Sequence, residues 1–228
     1  MAGTIHDVID RMRAIAETTV PGDGVGYFNG VYLRTTRAIL DRLGTGFFED
    51  DGFVERFDVV FADLYFAAID DAAAGRRLDA AWRPLFTRRA DRRVHALQFV
   101  VAGMNAHIGH DLELAVVRIC AAEGTHPLSG SIPDDFHRIS DVLEAIESQV
   151  RLSLLTEAER ELGRLFEPLA HLVGSWSIAR ARQGAWIRAQ ILWQLRDTAL
   201  FDQAVAISAS TVGMTGRHLL TPLLPADR

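Results

Sequence analysis

Apolar residues recur at intervals of three and four along nearly the whole chain, and that period constrains the fold more than any single motif. Val54, Phe57, Phe61, Leu64 and Ala68 show it clearly. A helix turns about 100° per residue, so this spacing gathers side chains on one face, whereas a half-buried strand alternates at a period of two. FDVVFADLYF (57–66) has the β-branched and aromatic content of a strand. Asp58 and Asp63 fall out of any two-residue alternation, however, so it reads as helix.

The punctuation agrees. Thr4 and Asp7 form a capping box that opens a helix to about Glu17. TVPGDGVG is a loop, and the segment after it is helical until Gly44. Asp50 or Asp51 caps the FDVVFADLYF helix, and AAWRPLF is a short piece turned at Pro84. A long segment from about Asp91 to Glu123 follows, interrupted by Gly103 and Gly109. HPLSGSIPDD is the clearest loop, with Pro133 placed to start a helix through about Leu155. Thr156 and Glu159 form a second capping box. These boundaries predict an all-α, single-domain helical bundle over residues 1–228, with about seven to nine helices.

Composition narrows the function classes. The 228 residues are 49% hydrophobic, enough for a large core, yet no run of roughly 18 apolar residues escapes a charge. No membrane span is expected, and MAGTIHDVIDRMRAIAE lacks the apolar centre of a signal peptide. Cys120 is the single cysteine, which points to a cytoplasmic protein. A net charge of −6 and one short basic run, RRADRR, give no reason to expect nucleic acid. GxGxxG, GxxxxGK[ST] and GxSxG are absent, so phosphate-loop and α/β-hydrolase chemistry have no support.

GMNAHIGHDLELA (103–115) sets an amide, two imidazoles and a carboxylate in an apolar surrounding. On an α-helix His107, His110 and Asp111 share one wedge, beside an apolar stripe of Met104, Ile108, Leu112, Ala115 and Ile119. The wedge is therefore expected at the edge of the buried face. Three readings of it stay open. His107, His110 and Asp111 suit a divalent transition metal, zinc or iron, with a further ligand from another helix. Asp58 is the preferred fourth ligand, since a bare carboxylate in RFDVVF is costly; Asp63, His95 and Asp141 are other candidates. Alternatively, Asp111 orients His107 for metal-independent acid–base chemistry of the cyclase or isomerase type, with Asn105 alongside as a catalytic group. In the third reading the wedge is a hydrogen-bonded network in a non-catalytic module that binds a small ligand or forms homo-oligomers.

Other groups can line such a site. Tyr32 and Tyr65 offer hydroxyls among aromatics, and Arg182, Trp186, Gln190, Trp193 and Asp197 form a stripe of alternating aromatic and polar groups. Tyr32, Tyr65, Arg182, Trp186, Gln190 and Trp193 are the expected walls for a small, largely apolar substrate.

GMNAHIGHDL resembles the signature of an uncharacterised bacterial protein family in which GMNAHIxHDL recurs. PGDGVGYFNGVYL, ERFDVVFADLY, AWRPLF, QFVVAGMNAHIGHDLELAVV and GSWSIARARQGAW extend the resemblance over most of the chain. It implies one helical domain of this length and singles out Asn105, His107, His110 and Asp111. Where those relatives have FANLY this chain has FADLY, so the resemblance does not require Asp63 as a ligand, and His95 lies outside the motif.

Overall fold

The structure, a computed structural model, describes residues 2–162 and 166–224. Helix is the regular structure throughout the described residues: α1 (Ile5–Thr18), α2 (Gly24–Leu40), α3 (Asp51–Ala73), α4 (Arg83–Arg88), α5 (Ala96–Ala106), α6 (Leu112–Glu123), α7 (Ile132–Leu162), α8 (Phe166–Gly174), α9 (Ile178–Leu195) and α10 (Phe201–Leu219). A π turn, His107–Asp111, joins α5 to α6 without a break. The described residues therefore form nine helical rods, within the expected seven to nine.

Local chemistry sets most boundaries. Thr4 and Asp7 make the capping box, the Asp7 amide donating to Thr4 Oγ1 at 3.2 Å and the Thr4 amide to Asp7 Oδ2 at 3.0 Å. Asp23 caps α2, and Asp50, rather than Asp51, caps α3 by accepting from the Phe53 amide at 2.8 Å. Two expectations fail. α2 stops at Leu40, before Gly44, and Gly44 sits in the turn that follows. Thr156 does not open a helix: α7 runs through it to Leu162, and its hydroxyl turns back to the Leu152 carbonyl at 2.7 Å. The Glu159 side chain, its expected capping partner, lies outside the described residues.

The rod α5–π–α6 occupies the centre. Every residue from Leu97 to Glu113 is buried, because α2, α4, α8 and α10 pack along α5 while α3 and α9 pack along α6. A helix surrounded in this way has no edge, so the polar wedge is not at the rim of a buried face as its periodicity suggested. Gly103 is not an interruption either. A Cβ there would lie 2.4 Å from Phe28 Cγ, so glycine lets α2 approach α5. Polar residues on the rod tie neighbours to it: Gln98 Nε2 donates to the Leu219 and Thr221 carbonyls at 2.8 and 2.7 Å, docking the end of α10. No helix among the described residues is long and apolar enough to cross a membrane.

Candidate active site

The π turn decides where the motif residues point. The Leu112 amide bonds back to the His107 carbonyl, five residues earlier, which widens the turn. Each residue then rotates through less than the about 100° of an α-helix, so residues four apart stay on one face and residues three apart diverge. His107 and Asp111 accordingly remain together, with His107 Nδ1 2.9 Å from Asp111 Oδ2. The same oxygen accepts from Trp82 Nε1 at 3.0 Å. A carboxylate oxygen against Nδ1 places the ring proton there and leaves Nε2 as the basic nitrogen.

Aromatic rings hold the imidazole from several sides. Phe61 lies parallel to it with centroids 3.6 Å apart, Tyr32 packs at 4.5 Å, and Phe28 meets it edge-on at 5.9 Å. Burial in this apolar surrounding lowers the His107 pKa, with Asp111 opposing the shift. His107 Nε2 is buried and has no hydrogen-bond partner.

His107 lines a cavity of about 50 Å³ between α2, α3, α5, the π turn, α7 and α9. Most of its wall is hydrocarbon, including Ile39, Val54, Ile108, Ile139, Leu143 and Ile178. Tyr32, Asp58 and Arg182 line it too, and each carries a buried polar atom without a partner: the Tyr32 hydroxyl, Asp58 Oδ2 and Arg182 Nη1. Burial, aided by the charge of Glu55, pushes the Asp58 carboxyl up to about 7. Burial likewise raises the Tyr32 hydroxyl well above its ordinary value, so it stays a neutral donor. Arg182 is 2% exposed. Its Nε donates to Ser140 Oγ at 2.6 Å and its Nη2 to the Phe136 carbonyl at 3.2 Å, and the guanidinium lies 4.5 Å over the Phe136 ring.

Residues 5–222 match the model of a family of unknown function, DUF5995. The chain belongs to that family. No curated protein and no solved structure matches it. The uncharacterised family expected from the motif is met at that level, and the DUF5995 match spans every residue of the cavity.

The remaining expected site residues of this DUF5995 chain lie elsewhere. His110 turns away from His107: its Nδ1 is 3.4 Å from Glu113 Oε1 and its Nε2 3.7 Å from Asp79 Oδ2. Burial opposes a proton on it, but Glu113, Asp111 and Asp79 outweigh that and raise its pKa. Among the described residues no three His, Cys, Asp or Glu side chains converge as a metal ligand set. Asp63 accepts from the Ala2 amide at 3.2 Å, His95 caps α5, and Asp141 is exposed. Asn105 faces α10, donating to the Val212 carbonyl at 2.9 Å. Tyr65 is buried behind the site with its hydroxyl 3.3 Å from Asn29 Oδ1. Trp186 packs at a tilt on Phe136 with centroids 4.4 Å apart, Gln190 bonds within its own helix to the Trp186 carbonyl, and Trp193 meets His126 edge-on. Of the six expected wall residues, Tyr32 and Arg182 line the cavity.

Sequence reasoning missed Trp82 and Phe61 as partners of the histidine, although AAWRPLF and FADLYF carry both. It also missed Glu113, fully buried and bonded by Arg188 Nε, while Arg188 Nη2 donates to the Gly109 carbonyl within the π turn at 2.6 Å. A glutamate in the apolar run DLELAVV was the available signal.

Proposed function

We propose that this chain is a metal-independent acid–base enzyme that moves a proton on a small, largely apolar molecule, an isomerisation or a cyclisation. One observation carries the reading: His107, a lining residue of an apolar cavity, is held at Nδ1 by Asp111 while its buried Nε2 has no partner. A base needs a free lone pair, a fixed orientation and a pKa near or below neutrality, and burial provides the last. His107 Nε2 takes a proton from the substrate, Asp111 and Trp82 position the ring, and protonated Asp58 returns a proton at a second atom. The products are an imidazolium and a carboxylate, reset by proton exchange with solvent. Tyr32 donates to oxygen as negative charge develops there.

A zinc or iron centre built on His107, His110, Asp111 and Asp58 needs both imidazoles to face one point, and they turn to different neighbours. A hydrogen-bonded network alone does not account for four buried polar atoms left unpaired around one cavity. A reducing, cytoplasmic setting goes with this proposal, because Cys120 is free and buried. The partner is the small molecule itself.

The test is solvent exchange. Tag-free protein in D2O, given butanone, 2-oxobutanoate and levulinate, is followed by proton NMR for exchange next to the carbonyl. Exchange faster than buffer is expected, falling by about 10²- to 10⁴-fold in His107→Asn with unchanged circular dichroism. Undiminished exchange in that variant would sink the proposal. So would one equivalent of a transition metal in the wild type that is lost in the variant, which returns the site to the metal reading.

A further inference from the structure

Arg182 is the group in this cavity whose burial costs most. A guanidinium keeps its charge, and the described residues put no carboxylate within ion-pair distance of it. Both of its contacts, Ser140 Oγ and the Phe136 carbonyl, are neutral. Burial pulls its pKa down to about 9, against the charge of Glu144, which still leaves a cation at neutral pH. An unpaired buried cation is strongly unfavourable, and its Nη1 is left with no acceptor. Asp58, the acidic group of the same cavity, makes no ion pair with it.

We propose that the substrate is a short-chain monocarboxylate and that Arg182 binds its carboxylate. This rests on the reading of the cavity as the substrate site and names the substrate class. Charge, shape and volume each contribute. The Ser140 and Phe136 contacts fix the guanidinium plane and leave Nη1 without an acceptor, so a planar anion can be met there at little further ordering cost. The Ile39, Val54, Ile108, Ile139, Leu143 and Ile178 side chains suit a hydrocarbon remainder. A cavity of about 50 Å³ suits a small ligand with a short hydrocarbon chain. A carboxylate anchored at Arg182 sets the atoms next to it against a wall that also includes His107, Tyr32 and Asp58.

Calorimetric titration of the full chain with propionate, butyrate, the neutral propionamide, chloride and inorganic phosphate tests this. Propionate and butyrate are expected to bind, with propionamide, chloride and phosphate at least about tenfold weaker. Arg182→Met should weaken propionate by about 30-fold or more and leave the thermal midpoint of the free protein unchanged or higher, because it removes an unpaired charge. A purely structural arginine would lower that midpoint instead. Should Arg182→Met fail to fold, Arg182→Lys carries the test, with weakened but measurable propionate binding. His107→Asn should bind propionate within about twofold of wild type, so binding stands or falls separately from the base chemistry. Equal affinity for propionamide, tighter binding of chloride or phosphate, wild-type propionate affinity in both Arg182 variants, or no carboxylate binding would each overturn the proposal.

Discussion

Burial displaces Asp58 and His107 in opposite directions because it disfavours the charged form of each. Asp58 rises to about 7, and His107 falls below its ordinary 6.5. Between those two values the imidazole is neutral and the carboxyl protonated, which is the pair of states a base and an acid need. The exchange rate should therefore climb as pH rises through the His107 pKa and decline above about 7 as Asp58 ionises. Asp58→Asn should lack the alkaline decline; a pH–rate profile that keeps it would remove Asp58 from the acid role. The same group governs stability. Its pKa is raised on folding, so its contribution is fully present below its ordinary 3.8 and is lost as pH rises toward 7. Asp58→Asn should gain on wild type over that interval and stand on the order of 4 kcal/mol more stable at pH 8, as read from denaturant midpoints.

Helix positions were legible because periodicity and caps are local: Thr4 with Asp7, Asp50 before Phe53, and Pro133 act through neighbours in the chain. The His107–Asp111 pair was legible too, since residues four apart meet on an α-helix and in a π turn alike. The divergence of His110 was not, because nothing local in HIGHD announces the turn; Arg188, 79 residues away, bonds the Gly109 carbonyl inside it. Trp82 escaped notice for the same reason, since α10 and the turn before α4 bring it to Asp111 only in the folded chain. α10 touches that turn closely: a Cβ on Gly213 would lie 2.2 Å from the Ala80 carbonyl oxygen, a backbone atom that cannot rotate aside. Gly213→Ala should cost about 1–3 kcal/mol and slow exchange as well, by moving Trp82 off Asp111. Gly30→Ala is the contrast. It lies inside α2 with nothing within 4 Å of its Cβ, so the variant should gain about 0.5–1 kcal/mol and keep its exchange rate.

One rod, α5–π–α6, is the shared wall of the core and the cavity, so opening either one should require opening the whole molecule. Cys120 makes that measurable. It is 0% exposed on α6, and burial, with the charge of Glu123, raises its thiol to about 11. Only a thiolate attacks a disulfide reagent, so the folded chain should be unreactive at pH 8 and labelling should pass through unfolding. Its rate should then track global stability, rising with urea along the slope measured by circular dichroism. Propionate at about 100 times its wild-type Kd should slow labelling about 100-fold in the wild type, since the ligand binds only the folded state, and by about fourfold or less in Arg182→Met. Fast labelling that ignores both urea and propionate would mean that α6 opens by itself. The central rod would then be a wall of the cavity but not the element on which the whole fold depends.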